Sequence, residues 1–181
     1  MKSIIVTGGA GFIGSNFILQ NINKYKIINI DTLTYASNQN YLKSVSKSKN
    51  YKFYKINILN TKKIINLIKE YKPIYIFNFA AESHVDNSIK NSDKFINTNI
   101  LGTHSLLKAV LRSKKILSTS FKFIQISTDE VFGDVKKNYL SKESDRYNPS
   151  SPYSASKAAS DHLVSSCGRT YNIDYNITYS S

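Results

Sequence analysis

Cysteine is nearly absent from this sequence: Cys167 is the single one among 181 residues. An internal disulfide is thereby excluded, and so is a zinc cluster built on several cysteines. Long apolar runs are missing as well, and none approaches the ~20 residues of a membrane span. The opening MKSIIVTGGAGFIG carries a lysine and then an apolar stretch. That stretch is too short for a signal-peptide core and breaks into glycines. Acids are scarce: 12 Asp and Glu face 25 Lys and Arg, a net charge of +13. Such an excess raises nucleic-acid binding as a class. The lysines are scattered among Asn, Ile and Tyr, however, with no basic stripe and no aromatic RNA-binding motif. The charge is therefore read as a composition bias, with no nucleic-acid partner, although a positive field helps to attract an anionic substrate. No cluster of His, Cys and carboxylates suggests a metal, and no internal repeat is visible. What remains is a cytoplasmic, globular chain of one domain. It is 41% hydrophobic and 20% charged, ordinary values for a chain able to bury roughly 70% of its unfolded surface.

Short apolar runs alternate with helical stretches. Strands are predicted at Ser3–Thr7, Tyr25–Ile30, Tyr51–Ile56, Ile74–Phe79, Phe121–Ser127 and Ile173–Tyr179, and helices near Gly11–Asn21, Thr61–Glu70, Asp93–Arg112 and Tyr153–Tyr171. The strands are rich in β-branched and aromatic residues and do not alternate strictly, as suits burial on both faces. Strand–helix alternation predicts an α/β, doubly wound parallel sheet with helices on both faces. Right-handed crossovers then favour the strand order 3-2-1-4-5-6. The polar connection Asp134–Pro152 reads either as a surface loop over a site or as a plain connector.

The stretch VTGGAGFIGS follows the first strand and opens the first helix. Gly8, Gly11 and Gly14 recur every third residue, and Gly9, Gly11 and Gly14 fit G-x-G-x-x-G. Glycine permits a tight turn, close approach of a pyrophosphate to the backbone, and close helix-on-strand packing. The helix start favours an anion through its free N–H groups and dipole. Asp31 ends the next strand, 20 residues beyond Gly11. That is the distance expected of an acid accepting from the ribose hydroxyls of NAD and repelling the extra phosphate of NADP. No Gly-Lys-Ser/Thr follows, which excludes a Walker P-loop.

At the other end of the chain, Tyr153 and Lys157 stand four apart in SPYSASKAASDHL. On a helix this spacing puts both on one face. An ammonium near a phenol favours phenolate, so that the tyrosine can serve as a base. The lysine can also hold a cofactor ribose hydroxyl. Two adjacent carboxylates, Asp129 and Glu130, follow Thr128 at the end of the fifth strand in STDEVFG. Neighbouring acids repel, which helps one of them to retain a proton.

TGGAGFIGSN, DTLTYASN, AAESHVDNSI, NILGTHSLL, STDEVFGD and SPYSASKAASDHLV together resemble the extended short-chain dehydrogenase/reductase family, over essentially all 181 residues. Within it the pattern is most similar to the nucleotide-sugar 4,6-dehydratases, above all the group that acts on dTDP-glucose. The Thr-Asp-Glu triplet sets that group apart from 4-epimerases and from GDP-mannose dehydratases. The resemblance implies a lyase with bound NAD that turns an NDP-glucose into its 4-keto-6-deoxy sugar, feeding rhamnose or another deoxysugar, and a homodimer for the full-length protein. It implies Tyr153 as the base at the C4 hydroxyl, Lys157 as its partner and Thr128 as a hydrogen-bonding aid. It further implies Glu130 as the base at C5 and Asp129 as the acid at the C6 hydroxyl. Phe12 and Ile13 are implied in the pyrophosphate loop. Asp31, Thr32, Leu33 and Thr34 are implied at the adenosine ribose, and Asn57 and Ile58 beside the adenine. Phe79, Ala80, Ala81, Glu82 and Ser83 are implied under the cofactor, with Ser83 also near the sugar, and Thr98 as a further cofactor contact. The resemblance gives His84 no catalytic role; His104 and His162 read as helix residues and Cys167 as a small buried hydrophobe.

Three positions depart from the pattern: Asn57 for a usual Asp, Thr32 for a usual Lys and Asn87 for a usual Arg. They alter affinity without touching the five reactive positions. The family continues past the sixth strand into a region that grips the nucleotide, whereas this sequence stops at Ser181. The expectation is therefore residues 1–181 as an NAD-binding domain carrying the reactive groups, truncated before the nucleotide-sugar-binding region. A UDP-glucose 4,6-dehydratase, an NDP-sugar 4-epimerase and an NAD-binding fragment without turnover remain alternatives.

Overall fold

Six runs of β-branched and aromatic residues form six parallel strands in the order β3-β2-β1-β4-β5-β6. They are β1 (Ser3–Thr7), β2 (Lys26–Asp31), β3 (Tyr51–Lys55), β4 (Tyr75–Asn78), β5 (Lys122–Thr128) and β6 (Tyr175–Ser180). The computed structural model describes residues 1–135 and 138–180. The direction of travel across the sheet reverses after β3. Right-handed crossovers then place helix α1 (Phe12–Asn21) on one face and the later helices on the other. The two cores obey this rule. Ile4, Val6 and Ile27 pack with Ile18 of α1 on one side. Ile5, Ile28, Ile76 and Phe123 pack on the other against α2 (Thr61–Tyr71), α5 (Thr103–Ser113) and α6 (Pro152–Tyr171). Neighbouring residues of β1 thus enter opposite cores, and both faces are buried.

Strand and helix limits lie within about two residues of the sequence expectation. The largest shift is at β6, which begins at Tyr175 rather than Ile173. Asn172 caps α6 in the left-handed region, at φ 52°, and Ile173 is still bonded back to the Gly168 carbonyl at 3.3 Å. A short α3 (Val85–Lys90) was not anticipated. The expected single helix over Asp93–Arg112 is also corrected. It begins as α4 (Asp93–Phe95), turns π-helical over Ile96–Gly102 and resumes as α5. Single π-turns in α-helices are frequent at functional sites. Here the wider turn carries the buried Asn99 toward β4. Gly102 closes it, where a Cβ would come within 2.4 Å of Ile58 Cδ1.

Under the open end of the sheet runs a buried polar ladder. Thr7 Oγ1 donates to Asn78 Oδ1 at 2.7 Å, and Asn78 Nδ2 donates to Gln125 Oε1 at 2.9 Å. This joins β1, β4 and β5 just below their C-terminal ends. In a doubly wound sheet the crevice opens where the winding reverses, here between β1 and β4. Among the described residues, no helix is long and apolar enough to cross a membrane.

Candidate active site

A cleft of about 460 Å³ lies across the C-terminal ends of β1, β2, β4 and β5. Its floor begins with the glycine turn. Gly8 has φ +69°, and a Cβ there would meet the Ala80 backbone nitrogen at 2.6 Å, so only glycine fits between β1 and β4. At Gly14 a Cβ would come 2.6 Å from the Gly8 carbonyl oxygen, which would push α1 off the strand. Gly11 is different. A Cβ there would meet only the Gly8 carbonyl oxygen, at 3.3 Å, and would otherwise occupy space at the cleft wall. Gly11 is also the N-cap of α1 and offers no side-chain cap. The first N–H groups of the helix are therefore left for an anion. Phe12 and Ile13 stand 71% and 56% exposed beside them. Apolar side chains left open at a helix start, a bare glycine cradle and free donors fit a phosphate-linked dinucleotide.

Asp31 is buried at the end of β2, where both carboxylate oxygens are committed. Oδ2 accepts from the Ala10 N–H at 2.9 Å. Oδ1 accepts from the Leu33 N–H at 2.7 Å and the Ser37 hydroxyl at 2.9 Å. The acid therefore ties its own loop to the glycine turn and still lines the cleft. Thr32, Thr34, Asn57, Ile58, Phe79, Ala80, Ala81, Glu82, Ser83 and Thr98 line it as well. Leu33 does not. It adopts a left-handed φ of 60°, gives its N–H to Asp31 and lies against a separate shallow hollow formed with Asn38 and Gln39.

The reactive end lies where β5 meets α6. Thr128 ends β5 and caps the 3₁₀ turn Asp129–Phe132, its Oγ1 accepting from the Glu130 N–H at 3.3 Å. Thr128, Glu130, Tyr153 and Lys157 all line the cleft; Asp129, exposed like Glu130, is not among the lining residues. Burial, then the charge of Asp129, pushes the Glu130 carboxyl up, so the repulsion expected from the sequence makes Glu130 more basic than an ordinary glutamate. Ser151 precedes α6 with a reciprocal capping box to Ser154 and Pro152 at the first helical position, which fixes where Tyr153 begins. Described residues of the 134–152 connection stay out of the cleft. Asn148 instead bonds the Val131 carbonyl at 2.9 Å, beside the reactive turn.

One electronic expectation is corrected. Tyr153 is not eased toward phenolate. Its hydroxyl is pushed up by burial and by the charges of Glu130, Asp129 and Asp161, with only the Thr128 hydroxyl pulling the other way. Lys157 does not offset these effects. This side chain is buried, and its ammonium donates to the Ile126 carbonyl under the strand end. Burial lowers it to about 8, against a raising effect from Asp161.

Sequence reasoning did not single out Asn99, Ser127, Tyr147 or Asp161. Asn99 bonds the Glu82 backbone and Ser156, while Asp161 accepts from Ser127 and Tyr147. The one available signal was the spacing of Asp161, four residues after Lys157 on the same helix. Cys167 lies in the core, its thiol pushed up by burial, as a small apolar group would.

Residues 5–181 match the family described as GDP-mannose 4,6 dehydratase. The dTDP-glucose 4,6-dehydratase of Haemophilus influenzae is 46% identical over 188 residues, covering all of this chain and 56% of that protein. The solved structure of DesIV, the dTDP-glucose 4,6-dehydratase of Streptomyces venezuelae with NAD bound, superposes with a TM-score of 0.90 at 35% identity, covering 98% of this chain and 55% of that one. The dTDP-glucose 4,6-dehydratase of Bacillus anthracis, also in complex with NAD, gives 0.85 at 41% identity over 99% of this chain and 54% of that one. The chain thus spans about half the length of the relatives it matches.

Proposed function

The chain belongs to the GDP-mannose 4,6 dehydratase family, and on that footing we propose that residues 1–181 are the NAD-binding, reactive half of a dTDP-glucose 4,6-dehydratase. The observation that carries this reading is the meeting of two constellations in one cleft. Gly8, Gly11 and Asp31 stand at one end; Thr128, Glu130, Tyr153 and Lys157 stand at the other. A 4-epimerase needs the first set and the tyrosine, but has no use for a carboxylate pair after Thr128. The pair therefore favours dehydration.

NAD, when bound, supplies the hydride acceptor and a positive ring, the charge that Tyr153 lacks in its surroundings. Asp31 accepts from the adenosine ribose, and the Gly11 turn with the start of α1 faces the pyrophosphate. Asn57, Ile58, Thr98 and Phe79–Ser83 make the walls. Tyr153 would remove the proton of the C4 hydroxyl, with Thr128 holding that oxygen, and the C4 hydrogen would pass as hydride to the bound cofactor. The ketone at C4 acidifies C5. Glu130, made more basic by partial desolvation and by the charge of Asp129, would remove the C5 proton. Asp129 would give a proton to the C6 hydroxyl, which would leave as water; Glu130 would then return its proton to C5 as hydride comes back from the bound cofactor at C6.

The test is mass analysis of the product when protein carrying this chain is given dTDP-glucose, UDP-glucose or GDP-mannose. Loss of one water from dTDP-glucose is the expected result. A product of unchanged mass would establish epimerisation instead, and dehydration of UDP-glucose or GDP-mannose in preference would overturn the substrate assignment.

A further inference from the structure

Beneath the cleft lies a buried acid that the proposed reaction does not use. Asp161 is 1% exposed. Its Oδ2 accepts from the Ser127 hydroxyl at 2.5 Å and from the Tyr147 hydroxyl at 3.2 Å. Its Oδ1 is buried with no hydrogen-bond partner. Such an orphan oxygen is uncommon and costly, and calls for a compensating charge nearby. A compensating charge is available in Lys157, one turn earlier on α6 and itself buried, whose ammonium is bonded to the Ile126 carbonyl. Among the described residues the one ion pair within 4 Å is Lys122–Asp174, at 3.6 Å on the surface. Lys157 and Asp161 therefore act on one another through space, in an interior where such fields are weakly screened.

Three elements hold the carboxylate still. Ser127 is the residue before Thr128 on β5. Tyr147 comes from the 134–152 connection and is bonded at 2.7 Å to Tyr179 on β6. Asp161 itself is on α6. We propose that Asp161 is the positioning residue of the reactive lysine: a fixed, buried counter-charge, anchored by Ser127 and Tyr147, that keeps the Lys157 ammonium protonated and seated at the end of β5.

The other charges around the pair support this division. Tyr153 and His162 share α6 with it, and Asp129 and Glu130 stand on the turn after β5. The π-helical stretch packed against α6 reads INTNILG and offers no titratable side chain, and His104, Lys108 and Arg112 on α5 are exposed. Lys157 feels one opposing charge of note, Asp161, against its burial. Asp161 in turn is pushed up by burial and drawn back by Ser127, Lys157, Tyr147 and His162. The carboxylate also works against phenolate at Tyr153. It thus serves the lysine rather than the tyrosine.

The inference rests on the reading of Lys157 as the group that holds the cofactor ribose and attends Tyr153, and the two can fail separately. The probe is the titration of the lysine side-chain ammonium signals by NMR on the 181-residue chain, with Lys157 assigned by its loss in Lys157→Met. In the unaltered protein the expected midpoint for the Lys157 signal is about 8. Asp161→Asn keeps the shape and an acceptor for Ser127 but removes the charge. The Lys157 midpoint then falls, and the neutral-to-charged ratio at pH 7 rises on the order of tenfold. NAD binding, measured by calorimetry, weakens, and its alkaline loss moves to lower pH. A merely structural acid would leave both profiles in place. Tyr147→Phe, which removes one donor to the same carboxylate, gives a smaller shift in the same direction and carries the test if Asp161→Asn does not fold. A Lys157 midpoint unmoved in the folded variant overturns the proposal. Undiminished NAD affinity in Lys157→Met overturns instead the role given to Lys157 itself.

Discussion

Asn99 holds Glu82 by both polar groups of its backbone: Oδ1 accepts from the Glu82 N–H at 2.9 Å, and Nδ2 donates to the Glu82 carbonyl at 3.0 Å. The side-chain amide thus plays the part of an adjacent strand where the sheet has ended. It pins the cleft wall beyond β4. The same Nδ2 reaches Ser156 Oγ at 2.8 Å, which ties that wall to α6. Asn99→Ala leaves a buried N–H and carbonyl unpaired. A loss of about 2–4 kcal/mol is expected in urea unfolding, with weaker NAD binding. Asn99→Asp sets an acceptor against the Glu82 carbonyl and is expected to be worse than alanine. Equal stability of all three proteins would refute the clamp.

Lys157 gives a pH dependence whose sign can be worked out. Its ammonium is lowered by burial from 10.5 to about 8. Between those values the unfolded chain holds the proton and the folded chain has released it. Stability contributed by this group therefore rises with pH across that window. Below about pH 8 the full penalty for the buried charge stands. Urea unfolding of the unaltered protein and of Lys157→Met at pH 7, 8 and 9 should show the unaltered protein gaining on the variant as pH rises. A gap that widens in favour of the variant would contradict the burial of the charge.

Asp31 governs cofactor choice in the proposed reading. Asp31→Asn removes the charge set against a ribose phosphate. It also turns an amide toward one of the N–H groups that the carboxylate accepts. NAD affinity should fall roughly tenfold, equivalent to about 1.4 kcal/mol, while NADP loses less or gains. Titration of the protein and variant with both cofactors decides this. Tighter binding of NADP than NAD to the unaltered protein would end the argument for Asp31.

Glu130 and Tyr153 separate the two halves of the proposed chemistry. Glu130→Gln should preserve oxidation at C4 and stop proton removal at C5, so bound NADH absorbance rises and persists with dTDP-glucose. Tyr153→Phe should suppress that first rise. Each loss is on the order of 10²- to 10⁴-fold. Glu130 works as a base when ionised, and Asp129 helps to push it up. Asp129→Asn should therefore carry the acid limb of C5 exchange into heavy water toward lower pH. An unmoved limb would show that the two acids do not interact.

The strands and their order could be read from the chain because both faces of the sheet are buried, so Ile4 and Ile5 are equally apolar though they enter different cores. Asp31, Thr128, Tyr153 and Lys157 were legible because each stands at a strand end or at a helix start, where a motif marks the position. The features that could not be read depend on contacts between distant segments. Asp161 meets Ser127 across 34 residues and Tyr147 across 14. Lys157 lies one turn from Tyr153, yet the Ile126 carbonyl and the burial around it decide its state. Leu33 sits in the right segment for a ribose contact, but its backbone turns left-handed and spends its N–H on Asp31.

The π-helical stretch Ile96–Gly102 interrupts what the sequence presents as a single helix over Asp93–Arg112. One added residue in a turn shifts the angular phase of the residues before it by about 100° relative to those after it. Leu106 and Val110 can then point into the core while Thr98 meets the cleft and Asn99 the Glu82 backbone. These three directions cannot share one α-helical stripe. Deleting Ile100 would keep nearly every side chain and much of the helix, but would turn Asn99 out of register with the wall it fastens. At this point of the fold, length matters more than identity: the segment tolerates a change of letter better than a change of count.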